Sequence, residues 1–529
     1  MNGALTGARP LLKVSLRQDA HNFAPWVMLI SVLSATSILG YRWVFPDEPD
    51  RLALATAVGA NPALELIFGQ ARDLLTNDGF NAWRAGGLGA FFAGLMAILI
   101  VVRNSRADED SGRAELIASG VITRRARLAV AVGIAGVASA LLFVVCFLLT
   151  WASGGGVVPT LLLSATFSAS ALMFAGVGAV AAQLGGDART ASTIAIAVLG
   201  GAYVLRGYLG MSGAGDWTEW LTPFGWLALT RPSTDNDPLP LLAALALTAV
   251  LLAVAMVLQD RRDLGLGIVA QRPGRASAPR LTVDTLTLRL HRTPLIVWLL
   301  ALGFLGSVWG SLVSSVDEVI GENPAMAKFI AAGALDVEQL SFAFVVTILN
   351  LIGILAAIVG AQVIMRVHVE EMEDRVEPLL AGAVSRWRFL TGPVAVALGV
   401  SALATMVAGT GLGLVASAGD GGIAITDVLL QALVSVPAVW LMVAVSVAAV
   451  GARPAARMAG WGVIVATFGI TLLGPTFDFP DWAMAVSPLY HVPNVVADDP
   501  GWGSLVGLGA VLMVLLAIGF AGFRRRDVQ

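Results

Sequence analysis

Apolar runs of about twenty residues recur along the chain, and they decide which folds are open to it. The hydrocarbon core of a bilayer is about 30 Å thick, so a helix that rises 1.5 Å per residue needs about 20 apolar residues to cross it. A soluble domain carries about a quarter charged residues, whereas this chain has 13 % charged and 57 % hydrophobic residues. The sequence therefore predicts an all-α polytopic membrane protein of about twelve transmembrane helices. The runs lie at 23–41, 84–102, 128–151, 157–183, 191–209, 239–259, 294–314, 342–365, 389–417, 426–450, 458–475 and 502–522.

Basic residues are distributed unevenly over the predicted loops. With both termini in the cytoplasm, 26 of the 33 lysines and arginines lie on the cytoplasmic side and 7 on the outer side. Cytoplasmic loops carry the excess of basic residues, so this orientation is favoured. The first apolar run is long enough to span and no small-residue cleavage site follows it, so we expect it to remain as the first helix.

The second half of the chain repeats features of the first half at one offset of 262 residues, without a gap. Each half has an even number of predicted spans, so the halves share one orientation and are related by a pseudo-twofold axis along the membrane normal. We expect a first six-span half at 1–259, a cytoplasmic linker with an interfacial helix at 260–293, and a second six-span half at 294–529. Gly59-Ala60-Asn61-Pro62-Ala63 falls on Gly321-Glu322-Asn323-Pro324-Ala325, and Glu109, Arg113, Glu115, Gly120 and Arg124 fall on Glu371, Arg375, Glu377, Gly382 and Arg386.

The cytoplasmic loop after the second span of each half has the same charge pattern. The loops run from Arg106 to Arg127 and from His368 to Arg388, and each begins acidic and ends basic. This order suits a helix dipole. Leucine pairs between the charged ends would give each helix a small apolar patch. We expect a short amphipathic helix beneath the membrane in each loop; the alternative of a solvated loop, whose arginines only set the topology, stays open.

Further segments suggest short helices outside the spans. Asn followed by Pro is good helix-start chemistry, so we expect an outer helix from Pro62 and another from Pro324. Alternating leucines and basic residues at Leu11 to His21 and at Leu281 to Arg292 could lay a helix along the inner surface.

Several kinds of chemistry are excluded or disfavoured. No GxxxxGK[ST] loop occurs, and the chain has only Lys13 and Lys328 as lysines, so it does not bind ATP by a P-loop. One cysteine, Cys146, and four scattered histidines predict no metal site, and a net charge of −3 without an aromatic-rich basic patch predicts no nucleic-acid partner.

Two functional classes can be weighed from the residues of the predicted spans alone. A secondary transporter of twelve spans would need ionisable groups near the membrane midplane, but the spans are almost free of charge, with Arg206 near an outer end as the main exception. A membrane enzyme would need a convergent polar site, and the sequence presents none.

The sequence resembles the ABC-2 permease family at three kinds of segment. These are the Arg-x-Glu-x-x-x-x-Gly-x-x-x-Arg cores that begin at Arg113 and Arg375, and the outer segments Trp220–Trp226 and Ala485–His491. More narrowly, it resembles the fused twelve-span permeases of actinobacterial exporters for polyketide antibiotics, the tetronasin-type group. The resemblance covers nearly the whole chain and implies two type V exporter-like halves in a bacterial cytoplasmic membrane.

In that family the loop after the second span is a coupling helix that docks on a separate ATPase subunit. The resemblance implies that this chain is a transport subunit and not an enzyme, that two ATPase copies serve it, and that ATP and Mg belong to those subunits. The two loops differ, because Pro378 takes the place of Leu116 and Trp387 that of Arg125. The implied ATPase contacts are Glu109, Arg113, Glu115, Gly120, Arg124, Glu371, Arg375, Glu377, Gly382 and Arg386.

The resemblance also implies a substrate path between the halves, lined by the first, second and fifth spans of each. An apolar, aromatic lining suits a hydrophobic or amphipathic cargo such as an antibiotic or drug; a lipid or cell-envelope component is the alternative cargo. The candidate residues are Trp26, Met28, Phe91, Phe92, Tyr203, Trp298, Phe304, Phe344, Asn350 and Phe468.

Overall fold

A computed structural model of the chain divides it into two compact units, residues 1–274 and 275–529, and each is described by itself. Within the described residues every regular element is a helix. The structure describes residues 6–59, 65, 67–112, 122–211, 215–263, 265–269, 283–314, 340–382, 384–418, 423–474, 479–497 and 500–526.

The long helices of the first unit begin at side-chain caps where the sequence offers them. The Thr76 hydroxyl accepts a hydrogen bond from Gly79 N–H, and the Thr123 hydroxyl accepts one from Ala126 N–H, so each satisfies an N–H that has no partner within its own helix. The helices are α1 (Ala8–Val44), α2 (Glu48–Gly59), α3 (Asn77–Val102), α4 (Arg124–Ala152), α5 (Val157–Leu184), α6 (Ala188–Met211), α7 (Pro223–Ala228) and α8 (Pro240–Asp260).

The second unit has the same kinds of element. Ser385 caps its third long helix by accepting from Arg388 N–H, in the way that Thr123 does in the first unit. The helices are α9 (Val283–Ser314), α10 (Leu340–Met372), α11 (Glu377–Leu380), α12 (Arg386–Ala416), α13 (Ile425–Ala452), α14 (Met458–Leu473), α15 (Asp481–Met484) and α16 (Gly503–Arg525).

Eleven of the described helices are long and apolar enough to cross a membrane, which confirms the all-α polytopic fold. The remaining predicted span, 458–475, corresponds to α14, which has 16 residues. At 1.5 Å per residue it covers about 24 Å, less than the roughly 30 Å of a hydrocarbon core. Twelve spans therefore stay a prediction.

One helix is central in each unit. α5 packs against α3, α4, α6 and α8, and α13 packs against α10, α12, α14 and α16. The most apolar 18-residue stretch is 61 % buried in α5 and in α13, but only 17 % buried in α8 and in α16. The last long helix of each unit therefore leaves most of its apolar surface exposed in this structure. The internal duplication inferred from the repeat stays a prediction.

Small residues let the helices of a unit approach closely, as is common where lipid removes the hydrophobic driving force. A Cβ atom on Gly306 of α9 would stand 2.1 Å from the carbonyl oxygen of Ala408 in α12. A Cβ atom on Gly451 of α13 would stand 2.2 Å from the carbonyl oxygen of Gly519 in α16. These positions admit only glycine at this separation.

A buried polar cluster joins three helices of the first unit. Asn81 Nδ2 of α3 donates to the Ser34 hydroxyl of α1 at 3.0 Å, and the Thr150 hydroxyl of α4 donates to the same oxygen at 2.9 Å. Because buried polar groups need partners, this cluster favours one register of the three helices.

The segments expected along the inner surface are continuous with spans. α1 runs from Ala8 through Pro25 to Val44, and α9 runs from Val283 through Pro294 to Ser314. Residues 11–21 and the described residues 283–292 therefore extend the first long helix of each unit. The predicted helix starts at Pro62 and Pro324 lie outside the described residues.

Candidate functional site

An acidic residue at the end of α3 lies between two arginines. Beyond Val102 the chain makes a π-helical turn, Arg103–Ala107, and then a last α-helical turn that carries Glu109. Arg106 Nη1 lies 2.7 Å from Glu109 Oε2, and the Arg106 side chain is fully buried. Arg262, just after α8, reaches both carboxylate oxygens at 2.7 and 2.8 Å. π-Helical turns are frequent at functional sites.

Arg106 and Arg262 also donate hydrogen bonds to other nearby oxygen atoms, although Arg106 Nε has no hydrogen-bond partner among the described residues. Arg106 donates to the carbonyl oxygens of Gly186, Gly265 and Leu266, while Arg262 Nε donates to Gln183 Oε1 at 2.6 Å. A buried charge is tolerated when it is both paired and hydrogen-bonded. The network therefore ties together the ends of α3, α5 and α8 and the start of the segment after α8.

The second unit has the corresponding pair. Glu371, near the end of α10, accepts from Arg526 Nη2 at 2.6 Å, and Arg526 Nε donates to the Gly451 carbonyl of α13 at 3.0 Å. We call each pair, Glu109 with Arg262 and Glu371 with Arg526, a Glu–Arg clasp. In each unit the clasp joins the end of the second long helix to an arginine one or two residues after the last one.

A second contact recurs at each clasp. Arg124 Nη1 donates to the Arg262 carbonyl at 3.3 Å, and Arg386 Nη1 donates to the Arg526 carbonyl at 2.5 Å. The third long helix of each unit therefore starts with an arginine that donates a hydrogen bond to the backbone carbonyl of the clasp arginine.

The clasps differ at one position. At the offset of 262 residues, the second unit has His368 where the first unit has Arg106. His368 Nδ1 stands 3.8 Å from Glu371 Oε2 and makes no hydrogen bond. Glu109 thus has two guanidinium partners, whereas the described surroundings of Glu371 supply one.

This geometry bears on the residues that the resemblance implied for ATPase contact. The side chains of Glu109 and Glu371 are only 7 % and 3 % exposed, and their ion pairs are made within their own unit. Arg113, Glu115 and Gly120 lie outside the described residues. Contact between any of these residues and an ATPase stays a prediction.

The second cytoplasmic loop presents a charged surface on an apolar base. Val376 is 1 % exposed, and Leu379 and Leu380 pack on the core of the unit. Arg375, Glu377 and Gly382 are exposed, as is Pro378. The helix in this loop is one turn, Glu377–Leu380, shorter than the amphipathic helix that the charge pattern predicted. The first acidic residues of the loop, Glu370 and Glu371, belong to α10 instead.

Four of the candidate path residues form a row of aromatic contacts in the first unit. Trp26 of α1 lies 6.5 Å from Phe92 of α3, Phe92 lies 5.8 Å from Phe91, and Phe91 lies 5.1 Å from Tyr203 of α6. The row continues to Phe224 of α7 at 5.3 Å. Sequence reasoning missed Phe224, although it lies in the Trp220–Trp226 segment that carried the resemblance.

The other candidates are not brought together. Met28 is 48 % exposed, on a different face of α1 from Trp26. In the second unit Trp298 donates to Gln362 Oε1 at 3.2 Å, while Phe304 and Phe468 are about half exposed. Phe344 and Asn350 of α10 are partly buried. No ring contact joins the aromatic candidates in the described part of this unit.

A cavity of about 440 Å³ lies beside the aromatic row, at the end of the unit that carries the clasp. It is open on one side and is lined by residues of α1, of α3 with the turn that follows it, and of α6, which are the first, second and fifth predicted spans. Trp26, Met96 and Leu99 contribute apolar walls, and Asp19 and Arg103 contribute charge. Small-molecule sites commonly have this size and a mostly apolar lining with few polar groups.

Comparison with known proteins gives consistent matches. The family model described as "Multidrug efflux system permease Rv1217c, C-terminal domain" matches residues 52–258 and 283–524. The multidrug efflux system permease protein Rv1217c of Mycobacterium tuberculosis (strain ATCC 25618 / H37Rv) is 36 % identical over 539 aligned residues, which cover 99 % of this chain and 96 % of that protein. A membrane chain with these helices and this likeness over its whole length belongs to the Rv1217c family of multidrug efflux permeases.

Proposed function

We propose that this chain is the permease subunit of an ATP-driven exporter of the ABC-2 type, which moves hydrophobic or amphipathic compounds out of a bacterial cell. Both termini lie in the cytoplasm, and two copies of a separate ATPase subunit bind ATP and Mg and dock on the cytoplasmic loops. The proposal includes membership of the tetronasin-type group of these permeases. Family membership, and a sequence without a P-loop, support it.

The observation that carries the coupling part of the proposal is the recurrence of the Glu–Arg clasp. A loop without contacts to the other helices of its unit would not transmit to them a displacement imposed by an ATPase. Glu371 and Arg526 instead fasten the loop after α10 to α13 and to the end of α16. Motion of the exposed loop would therefore be transmitted to several helices of the unit at once.

The exposed charges of the loops are the surface that we assign to the ATPase. Glu377 and Arg375 project from a base held by Val376, Leu379 and Leu380. Charge complementarity at such a surface would set the register of docking.

The first test is charge reversal at Glu377 and Glu115. We expect Glu377→Arg, Glu115→Arg and the double variant to lose ATPase co-purification and export while inserting normally. Removing a buried, paired contact costs about 2–5 kcal/mol, and a rim contact much less. We expect unequal losses, because Pro378 and Trp387 make the second loop different.

A matched control is Asp481→Arg, which reverses an exposed acid at the start of α15, on the predicted outer side. It should keep full association. Full association and export by the double variant would leave the loops as topology signals and remove the main support for the ABC assignment.

A second experiment separates an ATP-driven permease from a secondary transporter. The purified chain alone should hydrolyse no ATP above background, and hydrolysis should appear only with the co-purified ATPase. Export from cells should continue when the proton gradient is collapsed at constant ATP. Loss of export under that condition would favour a secondary transporter.

A further inference from the structure

The cavity between α1, α3 and α6 contains a buried carboxylate with weak compensation. Asp19 of α1 is 8 % exposed. Among the described residues, its Oδ1 atom accepts a hydrogen bond from the neutral amide of Asn22 at 2.9 Å. Arg103 Nε stands 3.5 Å from Asp19 Oδ1, and the Arg103 side chain is 55 % exposed.

The surroundings of Asp19 differ from those of Glu109, the acid of the clasp in the same unit. Glu109 has two arginines at hydrogen-bond distance, one fully buried. Asp19 has one solvated arginine at a longer distance. A buried carboxylate gains most from a close, desolvated cation, and a mostly exposed arginine side chain is free to swing away from it.

The rest of the cavity wall is apolar or neutral. Trp26, Met96, Leu99 and Ile100 supply apolar surface, and an aromatic face also attracts a cation. Asp19 and Arg103 are the charged residues of the described lining. When Arg103 turns toward solvent, Asp19 is the one charged group of the described lining, among apolar and neutral polar side chains.

We propose that this cavity binds cationic amphiphiles, with the Asp19 carboxylate as the group that recognises the positive charge and Arg103 as a displaceable partner. The inference deepens the proposed export function and rests on it for the role of the site. The ligand class is an organic cation with an apolar body that fits within about 440 Å³. Binding itself needs neither an ATPase nor transport.

The test is equilibrium binding to the full-length purified chain in lipid nanodiscs. The probes are a cationic rhodamine ester and the related rhodamine whose free carboxylate makes it zwitterionic, measured by fluorescence anisotropy with empty nanodiscs subtracted. Asp19→Asn should weaken binding of the ester about tenfold, the scale of one charge-assisted contact, and change the zwitterion less than twofold.

Arg103→Gln is the matched variant, because it breaks the same Asp19–Arg103 contact and leaves the carboxylate. It should bind the ester as tightly as the natural chain or more tightly. Equal losses in the two variants would mean that the pair only ties α1 to α3, and unchanged binding in Asp19→Asn would remove the carboxylate from recognition; either result overturns the inference.

An export assay with the ATPase present separates this inference from the proposed function. Selective binding by a chain that neither recruits an ATPase nor exports would retain the cation site and refute the exporter. ATP-dependent export of both dyes, with equal efficiency in Asp19→Asn, would retain the exporter and refute the cation site.

Discussion

At the scale of single residues, the two clasp acids have unequal surroundings. Glu109 compensates two arginines, of which Arg106 is fully buried. Glu371 compensates Arg526, whose side chain is 15 % exposed. Removing the negative charge therefore leaves more uncompensated buried charge in the first unit than in the second.

We predict that Glu109→Gln destabilises the chain more than Glu371→Gln. Breaking a buried pair by neutralising one partner costs about 3–5 kcal/mol, because the other charge stays buried without compensation. We expect the first variant near the upper end and the second near or below the lower end. Thermal unfolding of the purified variants, followed by tryptophan fluorescence, measures the difference.

The control is Glu377→Gln, which removes the same charge from an exposed position and should change stability by about 0.5 kcal/mol or less. Equal shifts for all three variants would contradict the interpretation of the clasps as buried pairs.

The sequence singled out the acidic member of each clasp as a candidate ATPase contact and did not predict an ion pair within the unit. The ungapped offset of 262 matched Glu109 with Glu371 and Arg124 with Arg386. It missed Arg262 and Arg526, because these arginines are 264 residues apart. Spacing also cannot show that an acid after the second helix meets an arginine more than 150 residues later; that contact depends on how the helices pack.

At the scale of elements, helix ends and helix contacts follow different rules from the apolar runs. α3 begins at Asn77, seven residues before the predicted span, because Thr76 supplies a cap. At its other end the helical backbone continues beyond Val102, through the π-helical turn, to Asp110. Hydropathy marks the part of a helix that lies in hydrocarbon, whereas caps and pairing decide where the helix ends.

We predict that Gly306→Ala weakens the packing of α9 on α12. The added methyl group would meet the Ala408 carbonyl at 2.1 Å, so the helices must separate. Overpacking of this kind costs about 1–3 kcal/mol. A lower temperature of unfolding in nanodiscs would show it.

Gly399→Ala in α12 is the matched control, since a Cβ atom there has nothing within 4 Å. Alanine favours helix over glycine by about 1 kcal/mol in exposed positions, so this variant should be neutral or slightly stabilised. Equal destabilisation by both substitutions would show that helix contact is not the cause.

At the scale of the whole molecule, the orientation of the chain is the prediction with the widest consequences. The count of basic residues predicts that both termini and the segment 260–293 lie in the cytoplasm. Both clasps and the cavity that contains Asp19 would then lie at the cytoplasmic ends of their helices, where cargo and ATPase would arrive.

Single cysteines test this orientation in a Cys146→Ser background, and the natural thiol is buried. We expect an impermeant thiol reagent on intact cells to label Glu322→Cys and to leave Arg275→Cys unlabelled. Permeabilised cells provide the control, since both positions should then react. Labelling of position 275 but not 322 on intact cells would invert the topology.

The exposed apolar surfaces of α8 and α16 would face lipid in the predicted topology, and bilayer thickness would then be a variable of the proposed transport cycle. Each helix is fastened to its unit through a clasp arginine that follows it, and α8, with 21 residues, spans about 31 Å. Shorter or longer acyl chains would tilt such a helix at a cost of fractions of a kcal/mol per Å. The clasp would pass that tilt to the cytoplasmic loop, so export rates should peak in bilayers of matching chain length.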